Sequence, residues 1–162
     1  MALTIEDGSV VASADSFASA SELATYAANY GLSIPATESA QEVLLRRAAV
    51  AMNALGWKGE RVSASQALAW PRMYVIAHGY SVDSGAIPDA IKHGQMALAA
   101  EIYADDQDPP EEKTGAVIRE KVDVIETEYA QARVSRAAPK YASTGHFAPY
   151  LLGNGGIAVI RA

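Results

Sequence analysis

Cysteine does not occur among the 162 residues, so disulfide bonds and thiolate chemistry are excluded. Long apolar runs are missing as well: none approaches the roughly 20 residues that a membrane-spanning helix needs, and we expect no membrane partner. The first ten residues, MALTIEDGSV, lack the basic and apolar regions of a signal peptide. We therefore expect the protein to be made and folded in a cytoplasm.

Recognisable catalytic and ligand-binding motifs are also absent. The three histidines, His78, His93 and His146, stand far apart, and no two have the spacing of metal ligands on a helix. The sequence contains no GxSxG, no HExxH, no Walker loop and no GxGxxG that precedes a helix. We predict no catalytic residue, no metal site and no cofactor, and an enzyme remains an alternative only through an unrecognised site.

Basic residues are fewer than acidic ones, 13 against 19, which gives a net charge of −6. Residues 101–128 carry ten acidic and three basic residues, whereas residues 131–162 carry four basic and no acidic residues. One interpretation is a solvated acidic face followed by a loose basic tail. The other is that the tail docks against an acidic surface of a partner or a neighbouring copy. In either case an acidic protein is a poor candidate for tight, nonspecific binding of duplex DNA.

Apolar spacing predicts three helices. The first covers residues 19–30, since Ser19 and Glu22 have capping-box spacing and Gly31 follows its end. The third covers residues 87–104, with Pro88 in its first turn. The second begins at Thr37 or Ser39 and carries an apolar stripe that consists of Leu44, Ala48, Met52 and Leu55.

The remaining segments predict loops and one small β element. Residues 62–69 allow a short helical turn, and the charged residues 105–112 predict a loop. Alternation of apolar and acidic residues over 125–129 predicts one strand of a pair that turns near Asp123. The predicted fold is mainly α: a helical bundle with a small β-hairpin and extended terminal arms. Its domain covers residues 1–144, with the β element at about 117–130, and an arm covers residues 145–162.

Both tryptophans fall within residues 57–72, WKGERVSASQALAWPR, the most distinctive stretch of the chain. Two indoles on either side of a short loop indicate a clamp, and Arg61 and Arg72 are placed to stack on the rings or to reach carboxylates. Gly59 permits a positive φ, and the residue before Pro71 is held extended. A rigid loop fastened to the long helices explains these features, and a direct binding role is the alternative.

This tryptophan segment, followed by I-P-D-A-I-K at the start of a helix, resembles the head–tail connector, or adaptor, proteins of tailed bacteriophages. Three further stretches match that pattern: E-D-G-x-x-V-x-x-A-D-S-F over residues 6–17, L-L-R-R-A over residues 44–48, and R-E-K-V-x-x-I-E-T-E-Y-A over residues 119–130. The matches are spread over most of the chain in the family's order, and the part after residue 145 has no family signature.

The resemblance implies a non-enzymatic structural protein of the virion, located at the head–tail interface after folding in the host cytoplasm. Such proteins form a homo-oligomeric, dodecameric ring beneath the portal protein and offer a docking platform to tail-side neck or completion proteins. Double-stranded DNA passes through the central channel without sequence-specific binding. Members also carry a DnaT-like label that implies single-stranded DNA binding, which is the alternative function. Against this alternative, the sequence shows no basic groove interleaved with exposed aromatic residues.

Three groups of candidate residues follow from the motifs and the resemblance. The structural-motif and interface candidates are Trp57, Lys58, Gly59, Arg61, Gln66, Trp70, Pro71, Arg72 and Pro88. The candidates for an arm that docks on the portal or on a neighbouring subunit are Arg133, Arg136, Lys140, Phe147, Tyr150, Leu151, Leu152, Ile157, Val159, Ile160 and Arg161. The candidates for an acidic channel wall, past which DNA would slide without releasing counterions, are Asp105, Asp106, Asp108, Glu111 and Glu112.

Overall fold

The computed structural model describes residues 2–108 and 141–153 with their side chains, and the backbone alone of residues 119–122 and 125–128. The fold is mainly α with small antiparallel β elements, as predicted. In chain order these elements are α1 (Ala20–Tyr30), α2 (Glu38–Asn53), β1 (Glu60–Arg61), β2 (Arg72–Met73), β3 (Ile76–Ala77), β4 (Tyr80–Ser81), α3 (Asp89–Gln107), β5 (Arg119–Val122), β6 (Ile125–Glu128), α4 (Ala142–Phe147) and a 3-10 turn (Ala148–Tyr150).

Local capping signals define α1 as the sequence predicts. Ser19 is the N-cap, and its hydroxyl accepts a hydrogen bond from the Glu22 N–H at 3.2 Å. The Glu22 carboxylate accepts in return from the Ser19 N–H at 2.7 Å, which completes the capping box. Gly31 ends the helix in the left-handed conformation with φ 65°. Both ends of α1 are therefore determined by residues close to them in sequence.

The ends of α2 and α3 differ from the prediction. The apolar stripe of α2 is buried as far as Met52, but Leu55 lies beyond the helix and is 37 % exposed. Pro88 is the N-cap of α3 and not a residue of its first turn. The loop predicted from Asp105 is wrong at its start, because α3 continues to Gln107. An ion pair of Asp106 with Arg47 on α2 fastens this additional turn.

The predicted strand pair and the predicted helical turn have opposite outcomes. The strand pair near Asp123 is confirmed: β5 and β6 pair antiparallel, with Val122 opposite Ile125. The helical turn over residues 62–69 is wrong, since this stretch is an irregular loop organised by the buried Gln66 side chain. Its carbonyl oxygen accepts from the Ser63 N–H, and its amide donates to the Leu68 and Pro71 carbonyls. Side-chain hydrogen bonds thus replace those of a helix.

The residues at the N-terminal family-like motif have structural roles. Glu6 is fully buried, and its carboxylate accepts from the N–H groups of Gly8, Val10 and Val11 at 2.9–3.0 Å. A buried carboxylate is stable only when it is hydrogen-bonded in this way. Asp15 receives the Arg46 Nε at 2.7 Å, which fastens the N-terminal segment to α2.

A buried amide connects this segment to the two long helices. Gln95 on α3 is fully buried, and its Nε2 donates to the Leu45 carbonyl of α2 at 2.9 Å and to the Ser16 hydroxyl at 3.0 Å. Its Oε1 accepts from the Phe17 N–H at 2.9 Å. With all these groups satisfied, the polar side chain fixes the relative positions of three elements.

Two clusters of buried apolar side chains form the core. One lies between α1, α2 and α3 and includes Leu23 and Leu45. The other surrounds Trp57 and Trp70 and includes Phe147 from α4. The Phe147 ring lies directly against the backbone of α3 at Gly94, where a Cβ would come within 2.1 Å of the ring. The second cluster therefore depends on a helix from the far end of the chain.

Replacing Gly94 by alanine tests this close approach. Because the new Cβ would overlap the Phe147 ring, we expect Gly94→Ala to lower the free energy of unfolding by about 1–3 kcal/mol, as overpacking does. Gly145→Ala is the control, since a Cβ at Gly145 of α4 meets no atom within 4 Å. Urea denaturation measures both variants, and equal stabilities would contradict the packing described.

Candidate functional site

The indoles of the tryptophan segment lie inside the core. Trp57 and Trp70 are 4 % and 0 % exposed, and their rings meet edge-on with centroids 5.9 Å apart. The Phe147 ring packs against Trp57 at 5.3 Å, and the Tyr150 ring packs against Trp70 at 5.6 Å. The Trp57 Nε1 donates to the Met52 carbonyl at 2.8 Å. The two indoles hold the loop in place, which is the structural interpretation of the motif.

The loop before β1 is fixed from two sides. Gly59 has φ 67°, and a Cβ there would lie 2.2 Å from the Met73 carbonyl oxygen, so only glycine fits. The Lys58 N–H donates to the Tyr150 carbonyl at 2.9 Å, and its Nζ donates to the Pro149 carbonyl at 2.7 Å. The peptide bond between Trp70 and the buried Pro71 is cis. These contacts hold β1 and β2 at one position on the helical body.

Two arginines face each other on this β pair. In the antiparallel register of β1 and β2, Arg61 lies directly opposite Arg72. Like charges in directly opposite positions destabilise a strand pair. Among the described residues neither guanidinium forms an ion pair; Arg72 donates to the carbonyls of Lys58, Gly59 and Ala69 instead. The pair is thus positioned by backbone atoms and its charge is left unneutralised.

The pKa of Arg72 reflects its partial burial and the nearby charge of Arg61. It lies below the ordinary pKa of an arginine, mainly because the side chain is partly buried and secondly because Arg61 is a nearby positive charge. Glu60 acts in the opposite direction. Arg61 is exposed and donates to the Gln66 carbonyl at 3.3 Å. An anion between the two guanidinium groups would relieve their repulsion and accept their remaining hydrogens.

Exposed aromatic side chains lie on the hairpin that follows β2. Tyr74, Ile76 and Tyr80 are 77 %, 62 % and 79 % exposed. The two residues between β3 and β4, His78 and Gly79, both have positive φ, as the tight turn of a two-residue hairpin requires. The hairpin is not loose, because Val75 and Ala77 are buried between the exposed residues.

The backbone of Tyr74 is strained. Its φ is 61°, a left-handed conformation that is a true outlier for a bulky side chain. Strain of this kind costs about 1–3 kcal/mol and occurs preferentially at functional sites. The neighbouring residues Met73 and Val75 both lie close to Gly59.

The β1–β2 pair and the hairpin that follows it thus carry basic and exposed aromatic side chains within a short stretch of the chain, and we call this set of residues the Arg–Tyr surface: Arg61, Arg72, Tyr74, Ile76 and Tyr80. Residues 57–81 carry three basic residues and one acidic residue, a local excess of positive charge in a chain of net charge −6. Basic and exposed aromatic residues thus occur close together in this stretch of the chain, whereas no basic groove interleaved with exposed aromatic residues was predicted from the sequence. Such a surface can bind a phosphate and offer flat rings to stacking partners.

Tyr74, Ile76 and Tyr80 were not among the predicted site residues. The run Y-V-I-A-H-G-Y-S-V is rich in β-branched and aromatic residues and is divided by His-Gly, which is a hairpin signal. That signal locates the hairpin, but it does not reveal which residues remain exposed.

The other predicted site residues occupy several different places. Leu151 pairs with Trp57 in an isolated β-bridge, and Leu152 is 62 % exposed. Phe147 and Tyr150 lie in the core, so they belong to the helical body. Asp105, Asp106 and Asp108 are exposed at the end of α3. The candidates that lie outside the described residues are Glu111, Glu112, Arg133, Arg136, Lys140, Ile157, Val159, Ile160 and Arg161.

Within the described residues, no three histidine or acidic side chains are close enough together to hold a metal ion. None of the helices in the described part of the chain is long and apolar enough to cross a bilayer.

The whole chain matches one known family. A family model described as "Putative DnaT-like ssDNA binding protein" matches residues 1–162. The chain belongs to this family. A comparison with curated proteins found no match, and neither did a comparison with solved structures.

This DnaT-like family corrects the virion assignment made from the sequence. The description of the protein as a phage head–tail connector, located at the neck of the virion, bound to the portal and enclosing a DNA channel, is wrong. The matching family is described as binding single-stranded DNA and not as a virion structural protein. The DnaT-like alternative is the part of that resemblance which the family match supports. The homo-oligomeric state stays a prediction that a single chain does not test.

The strain at Tyr74 leads to a prediction about stability. Asparagine tolerates a positive φ better than tyrosine, so we expect Tyr74→Asn to raise the free energy of unfolding by about 1 kcal/mol. Tyr80→Asn is the matched control: Tyr80 lies in β4 with no positive φ, and the lower β propensity of asparagine should make that variant less stable. Thermal denaturation distinguishes the opposite signs, and destabilisation by both substitutions would contradict this account.

Proposed function

We propose that this DnaT-like protein binds single-stranded DNA through the Arg–Tyr surface. A backbone phosphate lies between Arg61 and Arg72, and unpaired bases stack on Tyr74 and Tyr80. The observation that carries the proposal is the unneutralised Arg61–Arg72 pair, which directly precedes two tyrosines that are more than three quarters exposed. The family description supports the same class of ligand.

The phosphate step follows from the charges on β1 and β2. Two guanidinium groups in directly opposite positions raise the free energy of the free protein, and an anion between them lowers it. Guanidinium groups match phosphate oxygens geometrically with paired hydrogen bonds. Carbonyl acceptors hold Arg72 in position, so less side-chain entropy is lost when the phosphate binds.

The stacking step favours single strands over duplexes. Bases can stack on tyrosine rings only when they are splayed from their partner strand, and every base has a face that can stack. The net charge of −6 opposes the high charge density of duplex DNA, whereas a local positive surface suits one strand. We therefore expect weak preference for sequence and strong preference for unpaired DNA.

Binding of a fluorescently labelled oligothymidylate, followed by anisotropy over a range of salt concentrations, tests the proposal. Tyr80→Ala should weaken binding by about 1–3 kcal/mol, the usual contribution of one stacked base. Arg61→Gln should weaken binding and reduce the slope of log K against log salt by about 0.7, which corresponds to one lost phosphate contact to a single strand.

Arg47→Gln is the charge-matched control. Arg47 is an exposed arginine on α2 that pairs with Asp106, away from the β elements, so this variant should bind like the unmodified protein. The same labelled strand annealed to its complement should bind more weakly. Absence of binding at low salt, or equal losses in Arg61→Gln and Arg47→Gln, would overturn the proposal.

A further inference from the structure

Three titratable rings meet where α4 contacts the helical body. The centroids of His93 on α3 and His146 on α4 lie 5.9 Å apart. Tyr26 on α1 lies 5.6 Å from the His93 centroid, and its hydroxyl is 3.3 Å from the His146 Nε2. With His146 neutral, the tyrosine hydroxyl can donate to this nitrogen. The three rings thus join α4 to both α1 and α3.

The α4 segment, which comprises α4 and the 3-10 turn that follows it, in turn supports residues 56–59. These residues precede β1, and we call them the loop of the Arg–Tyr surface. Beyond its Phe147 and Tyr150 rings, it is joined to that loop by backbone hydrogen bonds. The Lys58 N–H donates to the Tyr150 carbonyl at 2.9 Å, and the Leu152 N–H donates to the Gly56 carbonyl at 2.8 Å. A weaker attachment of α4 to the helical body would therefore loosen the residues that precede β1.

Charged groups of both signs surround the histidine pair. From α1, Tyr26, Tyr30 and Glu22 line this region, with Glu22 already engaged by Ser19. From α3, Asp89 and Lys92 line the same groove. The negative charge of Glu101 on α3 acts to raise the pKa of His146. The Glu101 carboxylate also accepts hydrogen bonds from the Ser143 N–H at 3.0 Å and from the Ser143 hydroxyl.

We propose that protonation of His146 loosens α4 from the helical body, which makes α4 a pH-sensitive latch on the loop of the Arg–Tyr surface. A charged His146 ring would lie in a partly buried position, 5.9 Å from the His93 ring, where its charge is poorly solvated. A protonated Nε2 can only donate, so a hydrogen bond that Tyr26 donates to the neutral ring must also reverse its direction.

The direction of the pH dependence follows from the environment of the histidine. The pKa of His146 lies below its ordinary value of 6.5, mainly because the ring is partly buried and secondly because His93 is close to it. Glu101 opposes this shift. The neutral form is thus favoured in the folded state. The stability that it contributes is complete above the unfolded pKa and is lost as the pH falls through 6.5 towards the lower folded value.

The two tryptophans are intrinsic probes of the latch, because the chain contains no others and both pack against the α4 segment. Between pH 8 and pH 5, we expect the emission of the full chain to shift to longer wavelength and acrylamide quenching to rise roughly twofold. His146→Gln keeps a hydrogen-bonding group beside Tyr26 without a titrating ring, and it should remove most of this change.

His78→Asn is the matched control, because it replaces the remaining histidine, located in the hairpin turn, by a residue that tolerates a positive φ. It should retain the full pH response. Should His146→Gln fold poorly, His93→Gln removes the ring that helps to lower the pKa of His146, and it should move the pH response to higher pH. An unchanged pH response in both glutamine variants, or no response in the unmodified protein, would overturn the latch.

An effect of the latch on DNA binding rests on the proposed function, and a separate measurement distinguishes the two. If both hold, oligothymidylate affinity should fall more steeply towards pH 5 in the unmodified protein than in His146→Gln. A pH-dependent tryptophan signal without DNA binding at any pH would retain the latch and exclude the proposed function.

Discussion

The packing of four aromatic rings is the constraint on which the rest of the molecule depends. Trp57 and Trp70 meet edge-on, and each receives one ring from the segment that contains α4. Edge-to-face pairs contribute about 0.5–1.5 kcal/mol beyond the area that they bury. Without this cluster the loop before β1 would have no fixed position, and neither would the strands that follow it.

Fixing the loop has a consequence for the charges on it. A flexible segment would let two arginines separate, whereas the register of β1 and β2 holds Arg61 opposite Arg72. Tyr74, one residue after β2, has a left-handed backbone conformation. Burial in the core therefore sustains unfavourable arrangements at the surface, and the phosphate that we propose between the two arginines would relieve one of them.

Local signals in the sequence were sufficient to locate α1, α2 and α3 but not all of their ends, and they were insufficient for α4 and for the surface. The capping box of Ser19 and Glu22 is formed by neighbours in sequence, so the start of α1 could be predicted. The last turn of α3 could not, because Arg47 of another helix fastens it. The opposition of Arg61 and Arg72 depends on the register in which β1 pairs with β2 across an irregular loop. No spacing rule along the chain contains that information.

The position of α4 in the chain affects the order in which the protein can fold. Trp57 and Trp70 are synthesised well before Phe147 and Tyr150, so during translation the indoles emerge without their final neighbours. Contacts between distant parts of a chain form slowly, and exposed aromatic surface favours association with other chains in the meantime. The nascent polypeptide is therefore expected to depend on chaperones until residues 142–150 have left the ribosome.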